Sequence, residues 1–425
     1  MRVKNGLTLL FVLGLFFSCS SRKMEIHIHD RNVHSYNVIK NFIGISPPPA
    51  LVFVGSPETQ SNNRLSGLLL KDIVSDLYWI SDMEQLEQTD LLQDFIVSID
   101  LSIFVNENRL SSAEFLRRII KWLDKHKPRL VTVSLSGTYQ HKSGDMYSFL
   151  TEIVQSLPSG TAIYLESETV KEPENPDELY RWQNWYGPVS PNKTLDPNIR
   201  PDPWVWYSLP AECVELLQKK KVIIQGENRD NILAVWNDPA YKKLRESYNR
   251  EAQKEILQSA RESIFRIWNG SRIPDVPPQG TSEGLAIRLM VHGKDRGCLT
   301  WYKNSGDIRL FAAYCAAEAL RDPRYAAIDP EEAEVTLLEL VIFGNWEDIS
   351  NPQDFIPGYH NLWLINGVDN TILQASLVPQ RYYSKEDFLE NICRKAGLDK
   401  NAWKENKNLI WRRSPGLVYA EPLQP

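Results

Sequence analysis

Three places in this chain of 425 residues gather side chains that can do chemistry. The first is Arg296-Gly297-Cys298. A guanidinium forks onto a carboxylate or phosphate, so Arg296 is a candidate anion holder. A cation beside a thiol lowers its pKa toward the reactive thiolate, and His292 or His360 would serve as base if folding brought either near Cys298. The second place is His27, His29 and His34 with Asp30, imidazoles and a carboxylate of the kind that hold zinc or copper. Alternate residues of a strand face one side, so His27 and His29 can share one ion. The third is Cys19, which follows a basic start (Arg2, Lys4) and an apolar run from Leu7 to Phe17.

That run of about eleven apolar residues is too short for a membrane span, which needs about 20 in a helix, and reads as a secretory signal. Leu-Phe-Phe-Ser-Cys resembles a bacterial lipobox, with Phe16 where the usual pattern has Leu. The resemblance implies that residues 1–19 form a lipoprotein signal, that Cys19 is acylated, and that the protein is exported and lipid-anchored at the cell or outer membrane. A plain signal peptide with an incidental Cys19 is the alternative. The other cysteines, Cys213, Cys298, Cys315 and Cys393, match no compact disulfide framework, and none is expected to be bridged.

A chain of 49.0 kDa exceeds one ordinary core and predicts at least two domains. With 42% hydrophobic and 24% charged residues it is a folded globular protein. A formal net charge of -6 and a pI near 5.8, without a basic stripe, argue against nucleic acid as a partner.

The elements that must position these residues divide the chain. In the first half, Ala50–Val54, Phe95–Ile99, Leu130–Ser134 and Ala162–Leu165 are short apolar runs that predict buried strands. Between them, Ser111–His126 and Tyr147–Leu157 carry helical stripes. Such alternation predicts an α/β domain with a parallel sheet, over residues 24–167. The segments IHDRNVHSYNVIKNFI, SDLYWISDM and FIVSIDLSIFVNENRLSSAEF resemble an arginase/deacetylase-like, ureohydrolase-like family of unknown function. In that family paired carboxylates at strand ends hold two divalent ions that activate water. Here Gly55-Ser56-Pro57-Glu58-Thr59 replaces the first motif. In the second, Asp100 remains while Ser102 stands where a carboxylate belongs. A hydroxyl is a poor ligand for a hard cation. The resemblance therefore implies a metal-less, non-catalytic domain without a cofactor; Asp100, His27, His29 and His34 are its remaining metal candidates.

Residues 168–245 read as a Pro- and Trp-rich strap. The prolines between Lys171 and Pro210 forbid regular helix or central strand there, and Trp182, Trp185, Trp204 and Trp206 mark it as packed chain or an aromatic binding loop. Lys221–Gln225 is expected to add a strand to the first domain.

In the second half, residues 246–425, Arg250–Trp268 has a helical stripe stopped by Asn269-Gly270. Gly284–Val291 alternates as a strand, His292–Asp295 turns, and Arg296–Tyr302 returns. From Asp307 a helix with Ala312, Ala313, Ala316, Ala317 and Ala319 is small-faced enough to approach a sheet closely. Glu334–Phe343, Trp363–Asn366 and Gln374–Val378 predict further strands, and Asp387–Ala396 a helix. Antiparallel strands with helices on one side make this domain α+β. The block from Gly284 to Asp329, LVPQ, and KEDFLENICRKAGL in that order resemble the AMME-syndrome candidate protein family, also called AmmeMemoRadiSam system protein A, over Ala252–Glu421. The family is named for co-occurrence with a radical SAM protein and a dioxygenase-like protein. Its core motif ends in Gly where this chain has Thr300, and Pro357–Asn361 departs from a His-Gly pattern.

The functional expectation is a membrane-anchored exported protein that binds a small anionic ligand or a partner protein through a cleft of Arg296, Gly297, Cys298 and His360. A thiol-dependent or residual hydrolase using Cys298, and a scaffold docking an envelope protein, are the alternatives. Arg-Gly-Cys serving only packing is the third reading of the motif.

Overall fold

The computed structural model describes residues 24–29, 38–39, 42, 49–55, 74–88, 95–101, 109–135, 144–167, 204–207, 209–272, 274–275, 284–291, 294–301, 307–373 and 384–420. Strands β1 (Glu25–His29), β2 (Ala50–Val54), β3 (Leu77–Ile80), β4 (Phe95–Asp100), β5 (Leu130–Ser134), β6 (Ala162–Glu166) and β7 (Ile223–Gln225) form a sheet in the order β3-β2-β4-β5-β1-β6-β7. Every pairing in it is parallel. Parallel neighbours need crossovers, which here contain α1 (Met83–Gln88), α2 (Arg109–His126) and α3 (Gly144–Ser156). Helix α2 buries Phe115, Leu116, Ile119 and Leu123 and turns Glu114 and Arg118 outward as an i,i+4 pair.

Within residues 168–245, expected as a strap, the chain is regular after its proline-rich part: α4 (Trp204–Tyr207) and α5 (Ala211–Lys219) lead into β7, which adds an edge strand to the parallel sheet. Then α6 (Arg229–Trp236), α7 (Pro239–Ser247) and α8 (Arg250–Trp268) follow. Trp206 and Tyr207 are fully buried. Their carbonyls accept hydrogen bonds from the Trp236 indole (2.9 Å) and the Tyr241 hydroxyl (2.8 Å), so this part of the strap is packed chain. Trp182 and Trp185 lie outside the described residues.

The second sheet is antiparallel throughout. It contains β8 (Leu285–Val291), β9 (Lys294–Trp301), β10 (Thr336–Phe343), β11 (Glu347–Ile349), β12 (His360–Asn366), β13 (Asp369–Leu373) and β14 (Ile410–Ala420). The order is β13-β12-β14-β10-β8-β9, with β11 also on β14. Helix α9 (Ile308–Ala319), N-capped by Asp307, packs against β8, β9 and α8. Its buried Ala312, Ala316 and Ala319 leave room for that approach. Helix α10 (Lys385–Lys395) starts at a Ser384–Asp387 capping box, and α11 (Ala402–Glu405) follows it. Phe388, Leu389 and Ile392 of α10 bury against Leu362, Leu364 and Trp411 in a core of their own.

Strands β3, β11, β13 and β14 were not expected from the sequence, and the last two are informative. Strand β14 contains Pro415-Gly416, which reads as a break, yet it is central. Residues Ile410–Pro415 pair with β12 and Gly416–Ala420 with β10, so the proline sits at the corner where the strand changes partner. Strand β13 ends just before the strand expected at Gln374–Val378, whose residues lie outside the described ones. It folds back on β12 through a two-residue turn in which Gly367 has φ 62°.

Candidate functional site

Arg-Gly-Cys lies on β9, an edge strand, opposite β8. The register shifts there: Leu289 faces Gly297 while Met290 faces Asp295, which leaves Arg296 as the extra residue of a β-bulge. The bulge re-aims its side chain. Both guanidinium NH2 groups donate to Glu332 at 2.9 Å, and two further N–H groups reach the carbonyls of Ala326 (3.3 Å) and Ala327 (2.6 Å). The fork expected to hold a ligand is thus closed on the protein's own carboxylate.

Gly297 points the other way, at the end of α9. A Cβ there would lie 2.1 Å from the Ala319 carbonyl oxygen, so the glycine is required by the helix. Cys298 donates its backbone N–H to Asp322 (3.1 Å), and its carbonyl accepts from Arg324 (3.1 Å). Asp322 and Arg324 are themselves joined at 2.5 Å. Burial opposes ionisation of Asp322, but hydrogen bonds from Arg324 and Cys298 hold its carboxyl below the usual range. Three consecutive residues therefore pin the edge strand to the segment 319–332.

The Cys298 side chain shares a sheet face with Arg288, directly opposite it, and with Glu339 one strand further. Arg288 lies 2.9 Å from Asp295 and 3.4 Å from Glu339, and all three carry little exposed surface. Burial pushes the Cys298 thiol above its ordinary pKa, against the lowering charges of Lys395, Arg324 and Arg288. It is protonated at neutral pH. Lys395 reaches this face from the end of α10. Lys395 is exposed as a residue, its ammonium donates to the Ile372 carbonyl at 2.6 Å, and desolvation pulls it below the usual lysine range. Lys395 has no carboxylate partner among the described residues.

His360 is not part of this face. It opens β12 opposite Pro415, whereas Cys298 stands on the row Arg288–Glu339–Ala420. The charged groups acting on Cys298 are Lys395, Arg324 and Arg288, whereas those acting on His360 are Arg413 and Lys385. His360 instead accepts the Ile356 N–H at Nδ1 (2.8 Å), which puts its proton on Nε2. Burial, with Arg413 and Lys385 nearby, lowers its pKa to about 3. Next to it Tyr359 donates to Asp238, the N-cap of α7, and ties that helix to β12.

A family model described as AMMECR1 matches residues 233–413. A protein of Methanosarcina acetivorans is 30% identical over 161 residues, which cover 35% of this chain and 81% of that protein. One of Aquifex aeolicus is 31% identical over 187 residues, covering 40% and 92%. The chain belongs to the AMMECR1 family. A solved structure, uncharacterized protein PH0010 from Pyrococcus horikoshii, has 21% sequence identity and a TM-score of 0.35, and covers 40% of this chain and 92% of its own. The AMMECR1 match begins within α6, includes α7, α8 and β8 to β13 of the second sheet, and ends four residues into β14. Cys298 and Lys395 both fall inside it.

The parallel sheet outside the AMMECR1 match carries the remaining candidates. Ser98, Thr132, His27 and Tyr164 stand in one register row, and Asp100, Ser134 and His29 in the next row toward the C-terminal strand ends. The same strands turn Val97, Ile99, Val131, Val133, Ile26 and Ile28 to the opposite face, so toward the C-terminal strand ends one face is polar and the other aliphatic. His27 Nδ1 is 2.6 Å from Glu166 Oε1, and the two histidine rings are 6.5 Å apart. Asp100 and His29 flank Ser134 at two strand spacings, roughly 10 Å. Among the described residues no group of three or more His, Cys, Asp or Glu is placed to hold a metal ion. Cys19, His34, Asp30 and His292 lie outside the described residues. Sequence reading passed over Lys395, Asp322, Arg324 and Glu166, although the alternation in IHIH, VSID and VTVS already marks the polar face.

Proposed function

We propose that the AMMECR1 domain binds a small anionic ligand on the sheet face beside Cys298, with Lys395 as the principal charge. The observation that carries this is Lys395 itself. Its ammonium end sits in crowded protein beside a neutral thiol, is bonded to a carbonyl, and has no carboxylate partner among the described residues. A crowded cation without a counterion favours an anion that supplies one. Arg296, the original candidate, serves the fold, and His360 lies elsewhere.

In calorimetric titrations with inorganic phosphate, pyrophosphate and citrate, at least one is expected to bind the full chain. Lys395→Met should weaken it about ten- to a hundredfold, the range of one charge-assisted hydrogen bond. Equal binding by wild type and variant removes the proposal. Fast alkylation of Cys298 by iodoacetamide at neutral pH would favour thiol chemistry instead, because a raised pKa leaves little thiolate.

The same reading makes the parallel-sheet domain a non-catalytic partner of the AMMECR1 domain and the chain an exported lipoprotein. Among the described residues no helix is long and apolar enough to cross a membrane, which is compatible with a lipid anchor at Cys19. Cells fed labelled palmitate should incorporate it into the wild-type protein and not into Cys19→Ala. Equal labelling of both would place the anchor elsewhere or nowhere.

A further inference from the structure

We propose that the groove between α8 and the start of α9 is a second ligand site, shaped for a small monocarboxylate with an apolar body. It lies on the helical side of the AMMECR1 domain, away from Cys298. Its volume is about 830 Å³, within the range of small-molecule pockets. Its walls come from α8, the residues that follow α8, and the first turns of α9.

Ser263 is the first argument. It is 5% exposed, lines the groove, and its Oγ has no hydrogen-bond partner among the described residues. A helical serine usually bonds the carbonyl four residues back, as Ser259 does to Glu255 at 3.1 Å one turn earlier. Buried hydroxyls without partners are rare, and this residue lines a cavity.

The charges supply the second. Arg266, Arg272 and Arg309 line the groove, and so do Glu262, Asp275 and Asp307. Arg309 is closed on Asp307, with contacts of 2.6 to 3.0 Å, and Glu262 accepts the Gln258 amide at 3.1 Å. Arg266, Arg272, Asp275 and Glu262 have no ion-pair partner among the described residues, so two open cations stand beside two carboxylates. Two open guanidinium forks suit an oxyanion. The carboxylates in the wall disfavour a dianion such as phosphate more than a single carboxylate.

The third argument is apolar. Ile267 and Ala313 line the same groove beside Leu310, which is 62% exposed although its helix neighbours Ile308 and Phe311 are buried. An alkyl or aryl body would cover Leu310 while the carboxylate meets the arginines and Ser263.

Titration of the full chain with octanoate, 3-phenylpropionate, acetate and inorganic phosphate tests this. Octanoate or 3-phenylpropionate should bind saturably, and acetate and phosphate at least tenfold more weakly. Arg266→Gln and Arg272→Gln should each weaken binding about tenfold with an unchanged melting temperature, since both side chains are exposed. Ser263→Ala should weaken binding without lowering stability. Lys395→Met should leave it untouched, which separates this groove from the Cys298 face. Equal binding by the arginine variants, phosphate binding as tight as octanoate, or no carboxylate binding at all overturns the inference.

Discussion

Gly297→Ala should melt far below the wild type, with a loss of about 3 kcal/mol, at the upper end of what overpacking costs. The added methyl would sit 2.1 Å from the Ala319 carbonyl oxygen and 2.9 Å from its carbonyl carbon, both backbone atoms. No side-chain rotamer can relieve that contact. Either the end of α9 lifts from β9, or β9 peels from β8. Both routes strain the hydrogen bonds that Cys298 makes with Asp322 and Arg324. Urea melts followed by fluorescence give the number. A loss below about 0.5 kcal/mol would mean that the helix end does not rest on this glycine.

The second large effect is acid sensitivity set by His360. Its folded pKa is lowered to about 3 while the unfolded chain titrates near 6.5. Between these values the unfolded state takes up a proton that the folded state refuses. Stability is therefore fully present above about pH 6.5 and falls as pH drops toward about 3. At pH 5 the loss is about 2 kcal/mol from this group alone. Carboxylates held low, such as Asp322 and Asp307, add their own losses only at lower pH. His360→Asn keeps an acceptor for the Ile356 N–H and removes the titration. It should start less stable than wild type but change little between pH 7 and pH 5. An equally steep decline in the variant would assign the acid sensitivity to other groups.

Much of the architecture was readable in the chain. Period-two and buried apolar runs located β2, β4, β5, β6 and β8, and helical stripes located α2, α3, α8 and α10, each within a few residues. The small-faced helix after Asp307 declared a close approach, and Gly297 is where that approach is made. The failures share a cause. Pro415-Gly416 looks like a terminator locally, but a strand that changes partner tolerates a missing N–H at the corner. Lys395 looks like any basic residue in a last helical turn, and only the position of α10 brings it to Cys298.

The residue order by itself determined a two-part chain: a parallel α/β region followed by an antiparallel α+β region of the AMMECR1 family. Burial patterns are local in sequence and survive without knowledge of neighbours. It also determined which side chains were chemically capable. Only the tertiary structure decided what they do. One extra residue on β9 turned Arg296 from the Cys298 face onto Glu332, and the register of β14 set His360 opposite Pro415, among Arg413 and Lys385. Side-chain direction depends on pairing register, and register depends on partners distant in the chain.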